Sequence, residues 1–174
     1  MPDCYDGSLL TLWRQGDTVI AREPLAGIKR DIEPLLPLHH ADVGFAAEWR
    51  INWAHYEERE AAGALVAFSV REAETLIGYA IFLCVKHAHY VDLTQGLNDA
   101  LFLRPDKRRG LLGRRLIERC DFYFQHTDIQ HIVWHVTAQK DFSPILRRLG
   151  YAPEAALWGK ARPWAVHPRR PPKP

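Results

Sequence analysis

Residues 97–113 read LNDALFLRPDKRRGLLG: an apolar strand, a basic turn, and two glycines at the start of an amphipathic helix. Where a strand delivers a basic, glycine-containing loop to a helix N-terminus, unpaired backbone N–H groups and the positive end of the helix dipole converge on one point. This arrangement predicts an anion site of the kind that holds a pyrophosphate.

The residues after this loop have the periodicity of a helix with one buried face. From Leu112 onward, apolar residues recur at helical spacing, at Leu116, Ile117, Cys120, Tyr123 and Phe124. Arg114 and Arg115 fall in the first turn, where a positive charge beside the helix dipole is unfavourable by about 0.3–1 kcal/mol. A bound anion would reverse that sign, so the two arginines also indicate an anionic ligand.

Size and composition indicate one domain that folds alone. The chain has 174 residues, of which 47% are hydrophobic, enough for a three-layer core. We expect a single domain over residues 1–162 and a Pro/Arg-rich tail over residues 163–174. The N-terminus lacks a basic segment followed by an apolar one, and no apolar stretch is long enough to span a bilayer. These features predict a cytoplasmic protein with no membrane partner.

Cysteine usage and charge agree with that placement. Cys4, Cys84 and Cys120 are odd in number and share no short spacing, which is typical of reduced thiols. A formal net charge of +2 is too small to indicate nucleic-acid binding by itself, but basic residues concentrate in 104–119 and 162–173. We interpret the first cluster as the site of a phosphate-bearing cofactor and the second as part of the tail.

Apolar periodicity and turn residues predict the remaining elements. A hairpin is expected over Ser8–Trp13 and Thr18–Ala21, then a short helix through Ile28 and Leu36 that Pro37 ends, then a longer helix carrying Ala46, Trp49, Trp53 and Tyr56. Strands are expected at Ala64–Val70, Leu76–Lys86, Leu97–Leu103, Ile129–Val136 and Ala155–Lys160. A late helix is expected at Ile145–Leu149, with Ser143 as its N-cap and Gly150 as its C-terminal cap.

This order of elements, with RRGLLG at residues 108–113 and ILRRLGY at residues 145–151, resembles the GNAT superfamily of N-acetyltransferases over about residues 28–160. The resemblance implies a mixed α/β fold with a mostly antiparallel central sheet, helices on both faces, and a splayed parallel strand pair at the cofactor site. It also implies that the loop binds the pyrophosphate of acetyl-CoA, used as co-substrate, and that the late helix flanks the pantetheine arm. The sequence of residues 97–105 and 141–151 is similar to that of phage-borne members of the superfamily.

The resemblance further identifies the residues that would hold acetyl-CoA. They belong to the strand and the loop: Leu101, Phe102, Leu103, Arg108, Arg109, Gly110, Leu111, Leu112, Gly113 and Arg114. Arg108 falls at the family's Gln/Arg position, but Leu111 stands where the first glycine is usual and Gly110 lies one residue early. A main-chain cradle depends on backbone direction more than on particular side chains, so we expect binding to survive this departure.

Acetyl transfer requires a neutral amine, and a lysine-like amine with a pKa near 10.4 faces a deficit of roughly 4–5 kcal/mol at pH 7. Asp99 is the candidate base, and regular alternation would place it on one strand face with Leu97, Leu101 and Leu103. The resemblance implies the same role for a carboxylate on this strand. If the strand has a bulge, backbone N–H groups of residues 102 or 103 would polarise the thioester carbonyl.

The proton donor for the departing thiolate is left open. The family often has a tyrosine in the late helix for this role, and that position here is Leu146. Ser143, Tyr151 and Tyr90 are the alternative donors, and His135 is a candidate for proton relay or substrate contact.

Each assignment has a structural alternative. The loop at residues 108–113 could be an ordinary basic turn that caps a surface helix, and Asp99 could be a structural carboxylate. The histidine pairs at 39/40, 87/89 and 131/135 suggest zinc, but they lack Cys or carboxylate partners at ligand spacing, so we predict no metal.

Three functions remain under consideration. The first is an N-acetyltransferase, monomeric or homodimeric, in which a primary amine on a small molecule or protein attacks acetyl-CoA directly. The second is a CoA-binding module that has lost turnover, motivated by Leu111 and Leu146. The third is a nucleic-acid-directed transferase, motivated by the basic loop and tail, which we do not favour. Residues 49–56 and 87–95 are expected to choose the acceptor.

Overall fold

The computed structural model describes residues 10–43, 50–137 and 139–158. Over these residues the chain forms one six-stranded sheet in which the strands follow sequence order and neighbouring strands run antiparallel, except for the parallel last pair. The strands are β1 (Leu10–Gln15), β2 (Thr18–Arg22), β3 (Leu65–Glu72), β4 (Thr75–Lys86), β5 (Thr94–Leu103) and β6 (His131–Val133). This is the mixed sheet that the sequence predicts.

Helices cover both faces of the sheet. They are α1 (Leu25–Ile32), α2 (Leu36–Val43), α3 (Trp53–Ala61), α4 (Leu112–Phe124) and α5 (Ser143–Arg148), with short 3-10 helices at Glu33–Leu35 and Pro105–Lys107. None of the helices in the described part of the chain has the length and apolarity needed to cross a bilayer.

The alternation of side chains along β3 divides the core into two halves. Val66 and Phe68 point to the face that α4 covers, where they meet Leu116 and other buried residues of that helix. Leu65 and Ala67 point to the opposite face and pack against Ile28 and its neighbours in α1. The period of two in the strand thus fixes which helices lie on which face.

The parallel pair is short, and this opens the sheet. β5 and β6 pair only from Gln95 with His131 to Leu97 with Val133. After Val133 the chain leaves the sheet, and the buried Trp134 packs edge-on against Phe82 with ring centroids 5.0 Å apart. The second half of β5 therefore has β4 on one side and, within the described residues, no strand on the other.

Five predicted local features differ from the structure. Pro37 does not end a helix: it is the second residue of α2, a position where proline costs nothing because the first-turn N–H groups have no helical partner. The predicted helix through residues 46–56 begins only at Trp53, because Asn52 caps it by accepting the His55 N–H at 3.2 Å. Ala46 and Trp49 lie outside the described residues.

Near the C-terminus, Ser143 is the first residue of α5, not its N-cap, and its N–H donates to Asp141 at 2.8 Å. The predicted strand 129–136 shrinks to three residues, and residues 155–158 form no strand. Residues 159–174, which hold the end of that predicted strand and the tail, lie outside the described part, as does Cys4. Cys84 and Cys120 are free thiols.

Candidate functional site

A cavity of about 620 Å³ lies where β5 and β6 diverge. One wall comes from the second half of β5 and the start of α4, and the other from the segment between β6 and α5, with α2 closing one side. Its lining includes His39, His40, Asp42, Val43, Arg50, Asn98, Asp99, Ala100, Leu101, Leu103, Arg108, Gly113, Leu116, Ile117, His135, Thr137, Lys140, Asp141, Phe142 and Ile145. Asp99, His135 and part of the predicted cofactor set therefore border one space.

The loop before α4 presents backbone N–H groups with no internal partner. In the described structure the first backbone hydrogen bond of the helix runs from the Arg115 N–H to the Leu111 carbonyl, at 2.8 Å. No N–H group from Arg109 to Arg114 donates to another described residue. These groups point out of the first turn, as an anion site needs.

Gly110 gives this loop its shape. Its φ of +89° lies in the region that residues with a Cβ rarely adopt, whereas Leu111, where the family has its first glycine, has an ordinary φ of −103°. The positive φ of this loop therefore lies at the glycine that the chain has there, one residue before Leu111.

Among the loop side chains, Arg108 is engaged within the protein. Its Nε donates to the Leu103 carbonyl at 2.7 Å, and its two terminal nitrogens bind the Asp42 carboxylate, one of them at 3.2 Å. Lys140 binds the same carboxylate from the other wall. Arg108 thus ties the loop to β5 and α2, and its contact with a diphosphate stays a prediction.

The surroundings of Asp42 favour its charged form. Burial alone would raise the pKa of this carboxyl, but the hydrogen bonds from Lys140 and Arg108 hold it below its ordinary value. The pKa of Lys140 is lowered, mainly by burial and then by the nearby Arg108. A half-buried anion between two cations therefore stands at the α2 side of the cavity.

Arg109, Leu111 and Arg114 project outward at the mouth of the loop. Leu111 is 64% exposed, and Arg114 pairs with Glu118 one turn later at 2.8 Å. Arg115 reaches the same carboxylate at 3.6 Å. Glu118 thus offsets part of the unfavourable first-turn charge from which the sequence predicts an anionic ligand.

A β-bulge places Asp99. Ile81 of β4 pairs with Ala100 and Phe82 pairs with Asn98, so Asp99 is the extra residue with no partner on β4. The buried Asn98 side chain holds the bulge by donating to the Ile81 carbonyl at 3.3 Å and the Ala100 carbonyl at 2.9 Å. The bulge lies at residue 99, and residues 102 and 103 pair regularly.

The bulge makes one expectation wrong. Regular alternation predicts that Asp99 shares a face of the strand with Leu97, Leu101 and Leu103. Residues paired across two strands share a face, and Leu97 pairs with Leu83, which packs in the half of the core beside α1. Leu101 pairs with Ala80 and packs in the other half. An extra residue shifts the period-two pattern by one, which sequence alternation alone cannot show.

The free edge of β5 also offers backbone groups to the cavity. The Arg104 N–H donates to the Ile77 carbonyl of β4 at 2.8 Å, so by alternation the amides of Leu101 and Leu103 face away from β4. Phe102 points its amide to β4, and its buried ring lies 5.7 Å from the Tyr79 ring. Leu101 and Leu103 both line the cavity, so both amides face it from the open edge, while the Leu103 carbonyl accepts a hydrogen bond from Arg108.

On the α3 side, Tyr56 is bound to Asp99. Its hydroxyl donates to Asp99 Oδ2, and among the described residues nothing donates to Oδ1. Burial, followed by the hydrogen bond to Asp99, raises the pKa of Tyr56 well above its ordinary value. Tyr56 therefore stays protonated and orients the carboxylate, with one oxygen left for a further donor.

His39 lies between this side and the large cavity. Its Nδ1 is 2.6 Å from the Tyr79 hydroxyl, and its ring is 5.0 Å from the Phe102 ring. Burial lowers the pKa of His39 to about 4, so the imidazole is neutral near pH 7. The sequence singles out His39 only for a metal site and does not single out Asp42 or Lys140, because the partners of all three lie far away in the chain.

The three remaining predicted catalytic residues are placed differently. His135 is exposed and lines the cavity, just beyond the end of β6. Ser143 begins α5 and Tyr151 follows it, and neither borders the cavity. The Tyr151 hydroxyl donates to Asp121 of α4, and burial and this bond raise its pKa. Leu146 is 7% exposed within the core.

The other candidate groups do not come together at the site. Tyr90 is 63% exposed and stacks on His87, with ring centroids 4.7 Å apart. His131 lies between Gln95 and Glu154, at 2.8 Å from each. Within the described ranges, no three His, Cys, Asp or Glu side chains are grouped so as to hold a metal.

Comparison of the sequence with models of protein families and with curated proteins finds no match. Comparison of the fold with solved structures does find similar proteins. An aminoglycoside acetyltransferase from an uncultured soil metagenomic sample is 12% identical, with a TM-score of 0.66 over 84% of this chain and 96% of that one. A predicted acetyltransferase of Clostridium acetobutylicum, solved with acetyl-CoA, is 13% identical, with a TM-score of 0.65 over 83% and 96%.

Glucosamine-6-phosphate N-acetyltransferase of Arabidopsis thaliana is likewise similar in fold. It is 13% identical to this chain, with a TM-score of 0.63 over 83% of this chain and 97% of that one. At these identities the likeness is one of fold, and it spans nearly the whole of each neighbour.

Proposed function

Since this chain has the GNAT fold, we propose that it is an N-acetyltransferase that moves the acetyl group of acetyl-CoA to a primary amine by direct attack. One observation carries the proposal: the loop with the unpartnered amides and the carboxylate of Asp99 border the same cavity. A thioester held by its diphosphate at the loop would extend along β5 toward that carboxylate.

The loop residues fit the phosphate end of such a co-substrate. The unpartnered N–H groups of residues 109–114 and the positive end of the α4 dipole would bind the diphosphate. Gly113 lines the cavity beside the loop and contributes one of these N–H groups. In this proposal Arg108 positions the loop through Leu103 and Asp42.

The free edge of β5 fits the thioester end. The Leu101 amide faces the open side of the sheet, where it can donate to a carbonyl oxygen on which negative charge develops during attack. Of the two residues that the sequence predicts for this role, Phe102 points its amide to β4, whereas the amide of Leu103 also faces the open side and stays a candidate beside Leu101.

Asp99 supplies the base. It accepts a proton from the acceptor ammonium, and Tyr56 holds the carboxylate in place. The neutral amine nitrogen then forms its bond to the acetyl carbon, the carbon–sulfur bond breaks, and the nitrogen releases its second proton to solvent. The sulfur leaves as a thiolate that takes up a proton. On the β6–α5 side of the cavity, His135, Thr137 and Lys140 are the side chains that can deliver it. Ser143 and Tyr151 are not part of this proposal.

The neighbours support a small-molecule acceptor. Two of them are named for aminoglycosides and for glucosamine-6-phosphate, both compounds with amines. The proposal is tested by calorimetry with CoA, followed by thiol release from acetyl-CoA over a panel of amines. We expect CoA to bind and at least one amine to accelerate thiol release. Absence of CoA binding would overturn the proposal.

A second candidate is a CoA-binding protein without turnover. It is favoured by Leu146, a buried apolar residue at the position where the family resemblance implies a proton donor. This candidate predicts CoA binding with no thiol release for any amine, whereas the first predicts both.

A further inference from the structure

A second, smaller cavity of about 220 Å³ lies beside the large one, on the sheet face that α1–α3 cover. The two cavities share His39, Asp99 and Ala100 in their linings. The bulged carboxylate therefore borders both spaces, with the acetyl donor proposed on one side of it. The smaller cavity is then the place for the group that carries the amine.

The walls of the small cavity are apolar and aromatic. Trp53, Tyr56 and Tyr79 contribute rings, and five aliphatic side chains, among them Ile51 and Ile81, contribute most of the remaining wall. The Trp53 and Tyr56 rings lie 6.1 Å apart at 53°, the tilted arrangement of an aromatic pair. Such a surface favours the burial of an apolar group over a polar one.

The Trp53 ring is held from outside. Lys29 Nζ lies 5.5 Å from the centre of the indole and also binds Glu57 Oε1 at 2.6 Å. Because α1 and α3 fix the lysine between them, the indole is supported before any ligand arrives. Trp53 thus forms a preorganised wall.

The small cavity has one charged side chain in its described lining, the carboxylate of Asp99. That described lining contains no lysine or arginine. The His39 imidazole also lines this cavity, and it is neutral near pH 7 because burial lowers its pKa to about 4. An ammonium group finds a partner at Asp99, whereas a phosphate or a second ammonium would be buried without one.

We infer that the acceptor is a monoamine on a compact apolar body, with its nitrogen at Asp99 and its body against Trp53 and Tyr79. This inference rests on the proposed function and names its substrate class. Polyamines and aminoglycosides carry further ammonium groups, and hexosamine phosphates carry an anion. These classes are disfavoured because the described cavity wall provides no counter-charge for them.

The experiment measures thiol release from acetyl-CoA by the full chain with 2-phenylethylamine and isoamylamine, compared with spermidine, kanamycin and glucosamine 6-phosphate. We expect kcat/KM for the two apolar monoamines to exceed that for each of the other three at least tenfold. Trp53→Ala should raise KM for 2-phenylethylamine about tenfold and leave KM for acetyl-CoA unchanged. Trp53→Phe should restore most of the loss, and Phe122→Ala, which removes an exposed ring of α4, should change neither constant.

The outcomes separate the inference from the proposed function. A preference for spermidine, kanamycin or glucosamine 6-phosphate would overturn the inference and leave the acetyltransferase proposal standing. Calorimetry of 2-phenylethylamine with the CoA-bound protein provides a second readout. If 2-phenylethylamine binds, Trp53→Ala weakens that binding, and no amine causes thiol release, the inference about the cavity is supported and the proposed acetyltransferase activity is overturned. Absence of both binding and release with the monoamines would overturn the inference.

Discussion

The loop before α4 and the α3 side of β5 differ in what they offer to a ligand. The loop offers main-chain N–H groups, and its one essential side-chain feature is the lack of a Cβ at Gly110. The α3 side offers side chains: Asp99, Tyr56 and the Trp53 ring. In our proposal the loop binds through its main chain, which a side-chain substitution leaves in place, and the α3 side binds through side chains, which a substitution removes. The two regions should therefore respond differently to substitution.

Asp99→Asn should have the largest effect. It removes the base but keeps the size of the side chain, so we expect kcat for amine acetylation to fall by about 10²–10⁴. KM for acetyl-CoA should stay unchanged, because in our proposal the loop binds that substrate. Steady-state kinetics on both substrates checks this, with Asp92→Asn, an exposed residue between β4 and β5, as the control.

A rise in KM for acetyl-CoA at unchanged kcat would break the comparison, since it would assign Asp99 to the co-substrate and not to the amine. A similar loss in Asp92→Asn would trace the effect to net charge.

The second prediction concerns His39, which borders both cavities, and the dependence of stability on pH. Its pKa is about 4 in the folded protein against an ordinary 6.5, so the unfolded chain takes up a proton first as the pH falls. Stability is therefore complete above about pH 6.5 and declines as the pH falls toward 4. The free energy of unfolding should drop by about 1.4 kcal/mol per pH unit, about 3 kcal/mol in all.

Urea denaturation between pH 7 and pH 4 measures this slope, and His39→Gln should lack it. Asp42, whose pKa is lowered, loses its contribution below its ordinary value of 3.8 and so falls outside this window. Equal slopes in the two proteins would show that His39 is not held neutral at the boundary of the two regions.

The two regions also differ in how far the sequence could predict them. The stripe from Leu112 to Phe124 and the glycines before it depend on neighbours within a few residues, and the structure has α4 over Leu112–Phe124. Asp42 meets Arg108 across 66 residues and Lys140 across 98, and Tyr56 meets Asp99 across 43. Apolar periodicity carries no information on such pairs.

The position of the bulge could not be predicted from the sequence for a related reason. Whether a strand alternates regularly depends on pairing with its neighbour, and here the Asn98 amide bridges carbonyls of Ile81 and Ala100. Gly78 was overlooked as well: a Cβ there would lie 2.8 Å from the Phe102 carbonyl oxygen, so β4 needs a glycine opposite the end of β5. Both features arise from the contact of two strands.

The third prediction concerns Arg108, which belongs to the loop in sequence but binds Asp42 of α2. Because one carboxylate joins the two groups, a double-mutant cycle of Arg108→Ala and Asp42→Asn should show a coupling of about 0.5–3 kcal/mol in the free energy of unfolding. The pair is half-buried, and each single change leaves a partner behind. Urea denaturation of the four proteins gives the coupling.

Additive losses would contradict the positioning role. If Arg108→Ala also weakened CoA binding by the same factor in the wild-type and Asp42→Asn backgrounds, the arginine would act on the diphosphate directly. The loop would then use a side chain as well as its backbone.

The smallest effect is expected from Gly110→Ala, which tests main-chain recognition itself. A Cβ at φ +89° strains the loop by about 1 kcal/mol, so CoA binding measured by calorimetry should weaken about fivefold. Gly113→Ala is the matched control: its Cβ would meet the Leu103 side chain at an ordinary 3.9 Å, and alanine is the better helix former. Both variants keep every backbone N–H group, so the difference between them isolates the direction of the loop. A greater loss of CoA affinity in Gly113→Ala would mean that space beside the helix start, and not the turn at Gly110, limits binding.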